Sequence, residues 1–137
     1  MRSLLSQLGG DFSSGRIELR LFVPSVDRDG VPIDQEYWRN EALRLLGRLF
    51  GGATALPPGR GVWRDDERGG NLVFDETIVI YCSVDPVELT GDAMREMRRF
   101  LHRMGRETRQ GALWVHVDDG RVRGYRIFTE RDWETDP

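Results

Sequence analysis

The chain has no lysine, a single cysteine and only two histidines among its 137 residues. Each scarcity closes off a class of chemistry. One cysteine, Cys82, excludes an internal disulfide, and with only His102 and His116 beside it no zinc-site spacing exists. No run approaches the roughly 18 apolar residues of a membrane span, and the apolar stretch in MRSLLSQLGG is too short for a secretory signal. The expected compartment is therefore the cytoplasm, with no membrane partner. There is no nucleotide-binding glycine motif and no metal cluster, so no cofactor is expected. All 20 cations are arginines, as a GC-rich codon bias produces, and the net charge is −3. A molecule with that balance has no overall attraction for nucleic acid, so any such binding is local.

What is present fits one α+β domain. The sequence divides into a flexible Gly/Ser-rich lead-in (1–15), a single domain (16–128) and an acidic tail (129–137) that reads as loose, with Trp133 able to dock. In RIELRLFV, Ile17, Leu19, Leu21 and Val23 alternate with Arg16, Glu18, Arg20 and Phe22, the period of a strand covered on one face. Asp34 can cap a helix in which Trp38, Ala42, Leu45, Leu46 and Leu49 form an apolar stripe, ended by Gly51-Gly52. GATALPPGRGVWR and the strongly apolar NLVFDETIVIYCSV flank a polar tip, DDERGG, as a hairpin does. Thr90 can cap a second helix with Met94, Met97, Leu101 and Met104 turned inward, before GALWVHV and RVRGYRI supply one or two final strands. The order predicts a ferredoxin-like βαββαβ sandwich, with two helices on one face of an antiparallel sheet and an extra C-terminal edge strand.

Right-handed crossovers put both helices on the same side, which leaves the other sheet face bare. Alternation assigns Phe22, Val79, Tyr81, Trp114 and His116 to that face, with Glu18 and Arg20. So aromatic a face calls for cover. A second copy packed sheet to sheet, as in dimeric α/β-barrel proteins, could enclose a small ligand there. A base-stacking platform is another use, although no RNA-recognition signature is present, and in a monomer the C-terminal tail or N-terminal lead would cover the sheet.

Three further groups are candidates. Arg95, Arg98, Arg99, His102 and Arg103 recur along the second helix, with Arg106 and Arg109 beyond them, and form a row that could hold an anion or nucleic acid. Its bland reading is a solvated face paired with acidic neighbours. In PPGRGVW, Gly59 and Gly61 flank Arg60 ahead of Trp63, suggesting either an anion-binding backbone nest or, more simply, a bulge or tight bend. Asp75-Glu76 interrupts an apolar strand, and Glu76 is expected to meet Arg60 or Arg106 in a polar cluster near Glu107 and Gln110. Cys82 shares the alternation of Ile78 and Ile80 and reads as buried.

The segments GGATALPPGRGVW, DETIVIY and GRETRQG together resemble a loose group of uncharacterised bacterial ferredoxin-like small proteins with a GG-x-T, G-x-W, Glu pattern. Gly52, Thr54, Gly61, Trp63 and Glu76 match it. The resemblance implies the fold and no activity. The leading expectation is a non-catalytic binding or regulatory module, acting as a homodimer or as a subunit of a larger protein complex. The alternatives are a small dimeric α/β-barrel enzyme of isomerase, lyase or cofactor-free monooxygenase type, and a nucleic-acid binder using the arginine helix.

Overall fold

A computed structural model describes residues 7–9, 15–119 and 123–135 of the chain. Most of the expected lead-in over 1–15 lies outside the described residues. Strand β1 (Ile17–Val23) buries Leu19, Leu21 and Val23 and turns Glu18, Arg20 and Phe22 the other way. Helix α1 (Gln35–Phe50) starts at Asp34, whose carboxylate accepts the Tyr37 N–H at 3.1 Å, and ends at Gly51. That glycine is left-handed (φ 89°), and its N–H closes the last turn on the Gly47 carbonyl. After the short β2 (Thr54–Ala55) come β3 (Gly59–Asp65) and the 14-residue β4 (Asn71–Val84). Helix α2 (Gly91–Glu107) is capped by the Thr90 hydroxyl on the Ala93 N–H, and leads into β5 (Ala112–Asp118) and β6 (Arg123–Thr129).

The sheet runs β2-β4-β1-β5-β6, with β3 also on β4, and every pairing is antiparallel. The fold is the expected ferredoxin-like α+β arrangement, with β6 as the extra edge strand. Both helices cover one face. Their apolar stripes meet Leu19, Leu21, Val23, Ile78, Ile80, Val84, Leu113 and Val115 in a single core. Ile78 to Val84 read as an unbroken apolar run because β4 has strands on both of its edges there.

Two expectations about the helix face change. Met94 is 38% exposed, and Ala93 takes the buried place in the first turn of α2, since a 3.6-residue period carries the stripe from Met97 back to 93. His102, expected on the exposed basic row, is 6% exposed and packs edge-on against Phe128, with ring centroids 5.9 Å apart. Strand β6 lies over that side of α2 and buries it.

In the described part of the tail Trp133 docks, as the sequence allowed, and the backbone around it is ordered into a helix. Residues Glu130–Thr135 form a short helix, α3, and Trp133 is 3% exposed. Its indole lies on Gly105 of α2, and the Arg106 guanidinium donates to its carbonyl at 2.7 and 3.3 Å. Arg28 and Glu130 form an ion pair beside it.

Among the described residues, no helix is long and apolar enough to cross a membrane.

Candidate active site

The site follows from unequal strand lengths. β1 pairs only with the Ile78–Val84 half of β4, so residues 71–77 run on past Val23 with β3 as their one partner. The result is a two-stranded arm. Its root is fixed by side chains that take over where β1 stops. Gln35 Nε2 donates to the carbonyls of Val23 (3.2 Å) and Glu76 (2.6 Å). The Ser25 hydroxyl accepts the Glu76 N–H at 3.0 Å and donates to Asp75 Oδ1, which also receives the Ser25 N–H at 2.9 Å.

The arm's tip is fixed too. Arg68 donates to Asp29 Oδ1 (3.1 Å) and to the Arg28 carbonyl (3.2 Å), while Arg109 holds Asp29 Oδ2 at 3.2 Å. The turn carrying Asp29 is built on Asp27, whose Oδ1 accepts the N–H groups of Asp29 and Val31. Those bonds, that of Val31 foremost, and the charges of Arg109 and Arg68 hold the Asp27 carboxyl below its ordinary value.

Held at both ends, the arm and the bare sheet face together line an open pocket of about 440 Å³. Register shows which side chains can point into it. Gly61 faces Asp75, Gly59 faces Thr77, and Trp63 lies on the same side, the side of Phe22, Val79 and Trp114. Trp63 from the arm and Trp114 from β5 wall the pocket from opposite strands. Gln110 comes from the end of α2, where Arg109 takes a left-handed conformation (φ 51°) and the Gln110 N–H closes on the Gly105 carbonyl. Its Nε2 is committed to the carbonyls of Val26 (2.8 Å) and Thr108 (3.2 Å), so Oε1 is what it can offer a ligand.

The predicted site residues therefore separate. Phe22, Trp63 and Trp114 meet in the pocket. Arg60 borders it, but its guanidinium turns to the arm's other side, 3.3 Å from Glu76 Oε1 and 5.2 Å from the Phe74 ring centroid. Glu76 thus meets Arg60 as expected, and it does so facing away from the pocket. Arg106 does not join them, being spent on Trp133, and Glu107 pairs with Arg103 at 3.8 Å. Tyr81 and His116 lie further along the bare face around Arg20, which stacks 4.9 Å from the Tyr81 centroid and holds His116 Nδ1 at 2.8 Å. A guanidinium only donates, so Nδ1 is an acceptor and the His116 proton sits on Nε2. Gly59 and Gly61 make neither nest nor bulge: both pair in unbroken register, and neither has a positive φ.

Most of the arginine row is engaged internally. Arg95 pairs with Asp92, while Arg103 reaches Glu41 (3.6 Å) and the Tyr37 hydroxyl (3.1 Å) and lies over Trp38. Arg98 also has partners, and Arg99 remains exposed. Pairing of that kind is the bland reading of the row. Cys82 is buried, its Sγ 3.2 Å from the Gly52 carbonyl oxygen, and burial pushes its thiol up. Sequence reasoning did not assign Asp75, Thr77 or Gln110 to a site. The one available signal was the charge of Asp75 inside an apolar strand.

The chain is similar in fold to a phage SAM lyase. The structure of that enzyme in complex with S-methyl-5′-thioadenosine superposes with a TM-score of 0.65 at 16% identity, over 89% of this chain and 95% of the lyase. The apo lyase gives 0.59 at 16% identity, over 88% and 94%. No family model and no curated protein sequence matches the chain. These two structures are of an enzyme, which overturns the expectation of a non-catalytic module.

Proposed function

We propose that this chain is a lyase-type enzyme that takes S-adenosylmethionine into the pocket beneath the arm and releases S-methyl-5′-thioadenosine. The observation that carries this reading is the pocket itself: about 440 Å³, within the range of small-molecule sites, with tryptophans on opposing walls. A purine is a flat π-system that stacks on such rings whatever its edge pattern. The polar lining supports a nucleoside over a nucleotide. Asp75, Thr77 and the Gln110 carbonyl accept hydrogen bonds, and the one bordering cation among the described residues, Arg60, is taken by Glu76. A phosphate would meet a carboxylate there with no cation to offset it.

In the proposed reaction the bond between the sulfonium sulfur and the aminobutyryl γ-carbon breaks. Sulfur keeps the pair and leaves as a neutral thioether. The four-carbon fragment recovers a pair either from its own carboxylate, by ring closure, or from a C–H bond whose proton departs. A positively charged sulfur is already a good leaving group, so the chain's part is to position the nucleoside and exclude water. The cytoplasm is the compartment that goes with this substrate. Purified protein incubated with S-adenosylmethionine is expected to yield S-methyl-5′-thioadenosine by chromatography. Trp63→Ala and Trp114→Ala should each weaken binding of that product by roughly 5- to 150-fold, the equivalent of losing about 1–3 kcal/mol of stacking. If S-adenosylmethionine emerges intact after incubation with stoichiometric protein, the reading is wrong.

We also infer that a second copy of the chain covers the arm. Val62, Leu72 and Phe74 share the arm's outer side and are 54%, 62% and 54% exposed, an apolar strip on a two-stranded ribbon that needs support. Light scattering should then report an oligomer that Phe74→Glu reduces to a monomer; a monomeric wild type would refute it.

A further inference from the structure

Asp75 is the ionised group whose placement the fold controls most closely in this pocket. Its neighbour Glu76 points to the far side of the arm and is matched with Arg60. Asp75 has no such match among the described residues. Both of its hydrogen bonds come from Ser25, from the backbone N–H at 2.9 Å and from the hydroxyl, and both fall on Oδ1. Ser25 is itself oriented, because its oxygen accepts the Glu76 N–H at 3.0 Å. One carboxylate oxygen is thereby fixed, and Oδ2 is left to whatever fills the space. The side chain is half-buried between the arm and the end of β1, where an ionic contact is screened less than at the surface.

We propose that Asp75 makes the pocket selective for a nucleoside bearing a positive charge at its 5′ sulfur over the neutral thioether that remains after cleavage. The inference rests on the reading of the pocket as a sulfonium-nucleoside site and goes beyond it by naming the residue that discriminates substrate from product. A sulfonium carries its charge without an N–H or O–H, so it cannot be recognised by hydrogen bonding. What recognises it is a fixed negative charge against an apolar wall. Cleavage removes that charge while leaving the adenosine unchanged, so the contact with Asp75 is lost at the moment product forms. The stacking rings then hold only the nucleoside part, and product leaves more readily than substrate.

The test uses two adenosines that differ by one methyl group and one charge: S-methyl-5′-thioadenosine and 5′-deoxy-5′-dimethylsulfonioadenosine. Neither has an aminobutyryl group to lose, so both can be titrated at equilibrium by calorimetry. Wild-type protein is expected to bind the cation at least tenfold more tightly, with the preference shrinking as salt is raised. Asp75→Asn keeps the acceptor that Ser25 needs and should bring the two affinities within about twofold, chiefly by weakening binding of the cation. Ser25→Ala, which removes the hydroxyl and leaves Oδ1 with the backbone N–H alone, should give an intermediate ratio. Equal binding of both ligands by the wild type would overturn the proposal while the nucleoside reading stands. A preference that survives in Asp75→Asn would overturn the assignment to Asp75. Binding of neither ligand would overturn the site reading and this inference with it.

Discussion

Replacing Gly61 with leucine is expected to abolish nucleoside binding and leave the protein as stable as before, or slightly more so. Gly61 sits in the arm opposite Asp75 on the pocket side. A Cβ built there meets Thr77 Oγ1 at 3.5 Å and the Asp75 carbonyl at 3.8 Å, both ordinary van der Waals contacts. Its backbone is ordinary strand with no positive φ, so nothing local requires glycine. What glycine supplies is absence: the wall beside Trp63 carries no side chain. The rest of a leucine would project into the roughly 440 Å³ cavity, where a stacked purine is proposed to lie. We expect affinity to fall about a hundredfold or more, which is about 2.8 kcal/mol. Removing a strand glycine should return roughly 0.5–1 kcal/mol of backbone entropy, a rise of about 2–4 °C in melting temperature. Calorimetric titration and a thermal melt on one sample test both halves. Intact binding would place the ligand elsewhere, and a collapsed melting temperature would mean that the glycine is structural.

The same stretch shows how far the sequence could be read. Strand β1, both helices with their caps, and the polar hairpin tip declare themselves through period and turn chemistry, which are local. The pocket depends on pairing register, which is not. Asp75 and Glu76 are adjacent, and a shift of one residue would exchange their faces. The sequence drew attention to Glu76, which the register pairs with Arg60 on the side away from the pocket. Likewise Phe22, Tyr81, Trp114 and His116 do share the bare face. Which of them lie beneath the arm depends on where β1 ends along β4, and no periodicity encodes that length mismatch.

The arginine row shows the converse limit. Its three- and four-residue spacing is legible and suggests a binding face. Beyond the local pairs with Asp92 and Glu107, its partners come from Glu41 and Tyr37 on the other helix and from the backbone of Trp133. Each is distant in sequence, so the row could be seen while its occupancy could not. The acidic tail misled for a related reason. Six residues with one tryptophan have little helical tendency of their own, and α3 exists because Trp133 finds a place against α2.

That docking can be tested by a substitution whose effect changes sign. A Cβ on Gly105 would lie 2.6, 2.7 and 2.8 Å from three atoms of the Trp133 ring, closer than real carbons approach. The α2 backbone is held by its own hydrogen bonds, so the indole must move. In the wild type, Gly105→Ala should displace Trp133 and α3 with it. Loss of a buried tryptophan costs roughly 3–5 kcal/mol, against about 1 kcal/mol gained from alanine's helix propensity. The net loss, roughly 2–4 kcal/mol, should lower the melting temperature by about 5–15 °C. In a Trp133→Ala background the clash is gone and only the propensity remains, so the same substitution should stabilise by up to about 1 kcal/mol. A double-mutant cycle by denaturant unfolding measures this coupling directly. Destabilisation of equal size in both backgrounds would mean that Gly105 is required for something other than the seat of Trp133.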